Sequence, residues 1–293
     1  MSNASAPTSW KQTLIPAHGV SLHLVTAAPG VSSDDPAPML FLHGFPEFWY
    51  AWKRQLGFFG RERMTAAIDM RGYGRSDKPR EVEAYALPNL VADVLAVLDG
   101  ISPARPAVLV GHDWGGVVAW QFAAKHPERL EKLVIINAPH PAVFARELLN
   151  NPAQRHASAY IALFRSPLAE PLLRAGRFAF LRRVVFGGAR PGTFSPEERR
   201  RYLAAWSQTG ALTGGLNFYR AARFVPAEAV RPIQVPTLVL WGEQDTALLP
   251  GNLEGLGEYV PNLTLRRIPK GTHWVVHEQP EIVNRGIKGF LGD

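Results

Sequence analysis

Six short apolar runs alternate with helix-patterned stretches along this chain, and the alternation breaks off for about ninety residues in the middle. The runs are MLFLH (Met39–His43), MTAAID (Met64–Asp69), AVLVGH (Ala107–His112), KLVIIN (Lys132–Asn137), TLVLWG (Thr237–Gly242) and LTLRRI (Leu263–Ile268). Each is short, continuous and bounded by turn residues, the pattern of strands buried on both faces of a parallel sheet. Helical spacing is expected over Leu87–Leu98, Gly115–Lys125 and Pro280–Leu291. Such alternation points to an α/β fold: a mostly parallel, doubly wound sheet with helices on both faces. The pattern stops after NAPHP (Asn137–Pro141) and resumes near RPIQVP (Arg231–Pro236); the stretch between is helical in pattern, rich in Arg and without a convincing strand. The expected division is a core of residues 1–138 and 231–293 with an inserted helical cap, residues 139–230, and a pocket between them. Residues 1–10 and GVSSDDPAP (Gly30–Pro38) are expected to be flexible.

Composition narrows the chemistry. Of the 293 residues 46% are hydrophobic, enough for a large core. There is no Cys, which removes disulfides, thiolate metal sites and a cysteine nucleophile. The nine His show no metal-ligand spacing, so neither metal nor cofactor is expected. The net charge of +7 is uneven: Arg165–Arg223 holds eleven Arg and no Lys against three Glu. These arginines are spaced through apolar helical patterns, which reads as a solvated outer face and not as a nucleic-acid site. The N-terminus lacks a basic start and an apolar run, and no stretch approaches roughly 18 apolar residues, so a cytoplasmic protein without a membrane partner is expected.

The candidate site begins at GHDWG (Gly111–Gly115), which fits a glycine-flanked nucleophile turn between the strand AVLV and a helix. Glycines at both flanks let strand and helix approach closely while Asp113 sits exposed above the C-terminal end of the sheet, where open α/β folds bind ligands. An Asp capping a helix would account for Asp113 alone, but not for both glycines. A carboxylate in this place implies attack on an sp3 carbon. It leaves an ester that water can hydrolyse, whereas a serine would leave an ether. Hydrolysis needs a base and an orienting acid. His273 follows the strand LTLRRI and Asp245 follows TLVLWG, with His277 and Glu243 as the nearest competitors. The oxyanion formed in that step needs N–H donors. Phe45, in the turn after MLFLH, and Trp114 are placed to supply them. Glu47, in the same turn as Phe45, and His112, beside the nucleophile, are candidates for ordering the hydrolytic water; a helix-start acid and a packed His are the alternatives.

With these residues in view the chain resembles the epoxide hydrolases of the α/β-hydrolase fold over nearly its whole length. The motifs are HGFPEFWYAW (His43–Trp52), DMRGYGRSDKP (Asp69–Pro79), GHDWGG (Gly111–Gly116), NAPHP, WGEQDTAL (Trp241–Leu248) and THWVVHEQP (Thr272–Pro280). The resemblance implies two cap tyrosines that hold and protonate the epoxide oxygen. LNFYRA supplies Tyr219, with Phe218 where the family carries Trp, and SAYIALFRSPLAE supplies Tyr160, with Arg165 where Gln is common. Tyr202 is the fallback. A phenol with a pKa near 10 keeps its proton at neutral pH and can donate to a developing alkoxide. The implied substrates are a small-molecule epoxide and water, and the product a vicinal diol. Two rivals share parts of the pattern: a haloalkane or haloacetate dehalogenase using the Trp114 indole for halide, and an inactive ligand-binding hydrolase fold.

Overall fold

The computed structural model of the chain describes residues 10–27, 36–223 and 232–292. The expected flexible stretches fall largely outside these residues. Eight strands form one sheet: β1 (Lys11–Ala17), β2 (Val20–Ala27), β3 (Met39–Leu42), β4 (Thr65–Ile68), β5 (Ala107–His112), β6 (Leu130–Ile136), β7 (Thr237–Gly242) and β8 (Leu263–Ile268). Their order is β1-β2-β4-β3-β5-β6-β7-β8. β2 runs antiparallel to β1 and β4, and every other pairing is parallel. All six expected strands are present, with β6 beginning earlier than expected, at Leu130.

The β1–β2 hairpin was not expected. Its two-residue turn is His18–Gly19, both with positive φ (33° and 81°), the geometry whose twist matches a hairpin. β1 is an edge strand, largely exposed and carrying Pro16. An apolar-run criterion misses it because no face of it is fully buried.

Inside the sheet, successive residues serve opposite faces. Leu40, Leu42, Leu109, Leu133 and Ile135 pack toward α2 (Leu87–Ile101) and α3 (Trp114–Lys125). Met39, Phe41, Val108, Val110 and Val134 pack toward α1 (Lys53–Phe59), α10 (Val275–Glu278) and α11 (Pro280–Leu291). Two-sided burial is why these strands read as apolar runs. α2 continues to Ile101, beyond the expected Leu98.

Among the described residues six α-helices lie between β6 and β7: α4 (Pro141–Asn150), α5 (Pro152–Ala157), α6 (Tyr160–Arg165), α7 (Ala169–Arg182), α8 (Pro196–Ser207) and α9 (Ala211–Ala221). Among the described residues of this stretch there is no strand. Ser195 and Glu198 form a capping box that starts α8, with Pro196 in its first turn. The inserted helices are pinned to the sheet unit by buried polar contacts. Glu198 pairs with Lys53 of α1 at 2.5 Å. The fully buried Gln154 of α5 donates to Ala247 O and accepts from Leu249 N and Asn252 Nδ2. Among the described residues no helix is long and apolar enough to cross a membrane.

Candidate active site

β5 ends at His112, and the chain turns through Asp113 (φ 51°, ψ −123°) directly into α3. A non-glycine residue pays strain there, and tight packing on either side holds it. A Cβ on Gly111 would stand 2.5 Å from Gly115 O, and one on Gly115 would strike the Leu42 and His43 carbonyls. The strand–helix crossing therefore exists only with glycine at both places.

Asp113 Oδ1 accepts the Phe45 N–H at 2.7 Å. Trp114 N–H, the other expected donor, heads α3 without capping onto the Asp113 carboxylate. The Phe45 turn is fixed from several sides. The Phe45–Pro46 bond is cis. His43 donates through Nδ1 to Gly44 O (2.9 Å) and accepts the Met70 N–H at Nε2 (3.0 Å); burial lowers its pKa, consistent with this neutral pairing. Asp69 Oδ1 accepts Trp49 N at 2.8 Å, while its Oδ2 takes Arg75 N and His23. From the inserted helices, Trp206 donates to Pro46 O at 2.7 Å.

His273 stands opposite Phe45. Its Nε2 is 3.6 Å from Asp113 Oδ2, and its Nδ1 is 2.7 Å from Asp245 Oδ2. Asp245 is fully tethered: Oδ1 accepts the N–H groups of Ala247 and Leu248 at 2.9 Å, and Oδ2 accepts Asn137 Nδ2 at 2.8 Å. Burial alone would raise the Asp245 carboxyl, but the His273 charge, its hydrogen bond and the backbone donors outweigh it and hold the group below its usual range. Burial likewise pulls His273 down, but the Asp245 and Asp113 charges carry it up to about 9. Glu243, the competitor of Asp245, instead pairs with Arg267.

Behind His273 lies a second buried cluster. Glu47 Oε1 accepts from Tyr202 Oη (2.9 Å) and His277 Nε2 (2.6 Å), and Oε2 pairs with His112 Nδ1 (3.1 Å). The other His112 nitrogen donates to the backbone oxygen of His273 at 2.9 Å. Burial opposes the charge on Glu47, but His277 and His112 hold its pKa well below the usual value. Tyr202, the fallback phenol, and His277, the competing base, are thus committed to Glu47.

Tyr160, at the start of α6, and Tyr219, near the end of α9, line one cavity of about 360 Å³ with Asp113 and Trp114. Their rings are 6.1 Å apart, edge to face. Burial first, and then the Asp113 charge, raise both phenol pKa values, so both keep their protons. The Trp114 ring meets the Tyr219 ring edge to face, with centroids 5.1 Å apart. Arg165, where Gln was expected, donates to the carbonyls of Tyr219 and Ala222 and so clasps the two tyrosine-bearing helices together.

The alpha/beta hydrolase fold family matches residues 37–280. Epoxide hydrolase 4 of Mus musculus is 39% identical over 260 residues, 86% of this chain and 72% of that protein. The chain belongs to the α/β-hydrolase epoxide hydrolases. Epoxide hydrolase 3 of Xenopus tropicalis is 38% identical over 93% of this chain and 75% of its own. A crystal structure of the Bacillus megaterium epoxide hydrolase in complex with an inhibitor overlays with a TM-score of 0.88 at 34% identity, covering 96% of this chain and 100% of that one.

In this epoxide hydrolase the structure brings Asp113, His273, Asp245, Phe45, Trp114, Tyr160 and Tyr219 to one place, with Glu47 and His112 directly behind. Residue-level reading missed Asn137, whose side chain also bonds Gly242 N and O and so joins the ends of β6 and β7 under Asp245. It missed Asp69 as the anchor of the Phe45 turn, and the Glu47–His277–Tyr202 cluster. The only signal was membership of quoted motifs, since these partners lie far apart in sequence. Among the described residues no group of three His, Asp or Glu side chains is placed to hold a metal.

Proposed function

We propose that epoxide hydrolysis in this protein proceeds through an ester on Asp113. The observation that carries this reading is one carboxylate with its two oxygens differently held: Oδ1 on the Phe45 N–H, Oδ2 beside His273, and two protonated phenols lining the same cavity. Oδ2 attacks an epoxide carbon, the ring C–O bond breaks, and the alkoxide takes a proton from Tyr160 or Tyr219. In the second step His273 Nε2 takes a proton from water, and the hydroxide adds to the ester carbon of Asp113. Charge then develops on Oδ1, where the Phe45 N–H already points and the Trp114 N–H adds a second donor. Collapse expels the diol oxygen, which takes the proton from His273. The Asp113 carboxyl releases its own proton and a phenol is restored.

Asp245 orients His273 and stabilises its charged form. Glu47 and His112 are positioning residues, because their bonds run to each other and to the His273 backbone. The six inserted helices serve as a cap that supplies the phenols and covers the ester.

Intact mass spectrometry tests the scheme. His273→Gln, given an epoxide, gains the mass of the substrate on Asp113 and stalls. An unlabelled His273→Gln protein beside an active wild type overturns the two-step reading.

A further inference from the structure

A second cleft, of about 370 Å³, opens on the inserted helices and shares no lining residue with the Asp113 cavity. α7 breaks at Gly176, Arg177 and Phe178, all with positive φ (56°, 55° and 63°), and Phe178 turns its ring onto Trp206 at 6.0 Å. Beyond the break Ala179, Arg182, Arg183, Phe186 and Gly187 line the cleft at i, i+3, i+4, i+7 and i+8, the spacing of one helical face. α8 closes the cleft with Arg199. The Arg199 guanidinium lies over the Phe186 ring, 5.3 Å from its centroid, and its Nε donates to Phe194 O at 3.2 Å. Phe186 in turn stacks on Trp206 at 5.5 Å, and Trp206 donates to Pro46 O, so the floor is fixed to the sheet unit.

Three guanidinium groups therefore meet at one cleft with no acid among its lining residues. The acids that could neutralise them are engaged elsewhere: Glu170 with Arg220, Glu197 with Arg201 and Glu198 with Lys53. Among the described residues Arg182 and Arg183 make no side-chain hydrogen bond or ion pair. A helix C-terminus and contact with water account for Arg182 and Arg183 taken singly. They do not account for Arg199, which stands in the first turn of α8, where the positive end of the helix disfavours a cation.

We infer that this cleft is a binding site, separate from the catalytic cavity, for a phosphate monoester. The guanidinium forks take the phosphate oxygens, and the organic group lies on Ala179 and Phe186. A carboxylate offers only two oxygens and one charge to three guanidinium groups, whereas a monoester offers three oxygens and close to two charges. With Arg182 and Arg183 on one side and Arg199 on the other, the occupant ties the turn after α7 to α8.

Calorimetric titration with phenyl phosphate reads the site, with benzyl alcohol as the uncharged probe. Wild type is expected to bind the phosphate at least about tenfold more tightly than the alcohol. Arg182→Gln/Arg183→Gln weakens phosphate binding about tenfold. Arg174→Gln/Arg200→Gln removes two exposed arginines of the same helices outside the cleft, and changes it by less than about twofold. All four side chains are exposed, so both variants are expected to fold, which thermal melts verify. Flotation with phosphatidylcholine vesicles carrying phosphatidic acid distinguishes the source of the monoester. Capture without phenyl phosphate binding assigns the group to a lipid headgroup, and phenyl phosphate binding without capture assigns it to a free small molecule. Either result sustains the site when it is lost with Arg182 and Arg183. Absence of binding in both assays, or equal weakening in the two double variants, overturns the inference. Neither assay involves epoxide turnover, so that failure leaves the reaction at Asp113 untouched.

Discussion

Two carboxylates face His273 in the free enzyme, and the proposed chemistry neutralises one of them. With both ionised, His273 is raised to about 9, so it is protonated at neutral pH and poised beside Asp113 and Asp245. Ester formation removes the Asp113 charge, the proton is held less tightly, and the neutral imidazole that water activation needs becomes available. The sign follows directly: acid favours the charged, inactive form of His273 in the second step, while attack by Asp113 does not require the neutral form. On lowering the pH from about 8 to about 5, ester hydrolysis is expected to slow toward tenfold per unit and the covalent adduct to accumulate. Quench-flow with intact-mass detection reads this, and an adduct fraction independent of pH would falsify the assignment of His273 as base. In the proposed scheme the phenols act earlier. Tyr219→Phe and Tyr160→Phe each slow adduct formation by about tenfold or more, and the double variant by about 10² to 10⁴, because either hydroxyl can protonate the alkoxide. An unchanged burst rate in the double variant removes both from the mechanism. Asp113, His273 and Asp245, which the structure brings together, could be picked out as candidates because each follows a strand in a local pattern. Asn137 was not, since its role is a contact with Asp245, 108 positions along the chain, that no spacing rule encodes.

Strands with continuous apolar runs and helices with clear spacing could be read directly, and the β1–β2 hairpin could not. The five inner strands β3–β7 announce themselves as apolar runs because α2 and α3 cover one face and α1 and α11 the other, whereas β8 is a half-exposed edge strand. The β1–β2 hairpin carried its signal in the His18–Gly19 turn instead of in hydrophobicity. That turn offers a clean measurement. Gly19 sits at φ 81° with nothing within 4 Å of where a Cβ would be, so Gly19→Ala tests backbone strain without a clash. It is expected to destabilise the protein by about 1 kcal/mol in denaturant titration, with the site chemistry unaltered. A stabilised variant would mean that the turn is not left-handed in solution. In the inserted stretch the helices were legible, but their footing on the sheet unit was not. Lys53–Glu198, Gln154 and Trp206–Pro46 join residues from opposite sides of the break in the strand pattern.

At the scale of the molecule, one buried group ties folding to acidity. His140, at the junction between β6 and the inserted helices, is 1% exposed and stacks on Tyr259, and neither ring nitrogen has a hydrogen-bond partner. Burial pushes its pKa down to about 4. The unfolded chain therefore binds this proton near pH 6.5 while the folded chain refuses it until about pH 4. The contribution of this group is full above about 6.5 and falls with decreasing pH across that window, by about 1.4 kcal/mol per unit. His140→Phe keeps the stacking and is expected to flatten the slope in denaturation curves taken across the window; an unaltered slope would show that the ring is solvated. The fold class was visible in the rhythm of the chain, whereas the shape of the cavity came only with the packing of α4, α6 and α9 over α3. The bond from Tyr202 to Glu47 carries a further consequence. Through His112 it reaches the backbone of His273, so α8 and His273 hang from one line of hydrogen bonds. Raising α8 to let a diol escape would slacken that line, and the machinery that cuts the ester would stand idle until the roof came down again. Departure of one product and hydrolysis of the next ester would then be mutually exclusive events in time.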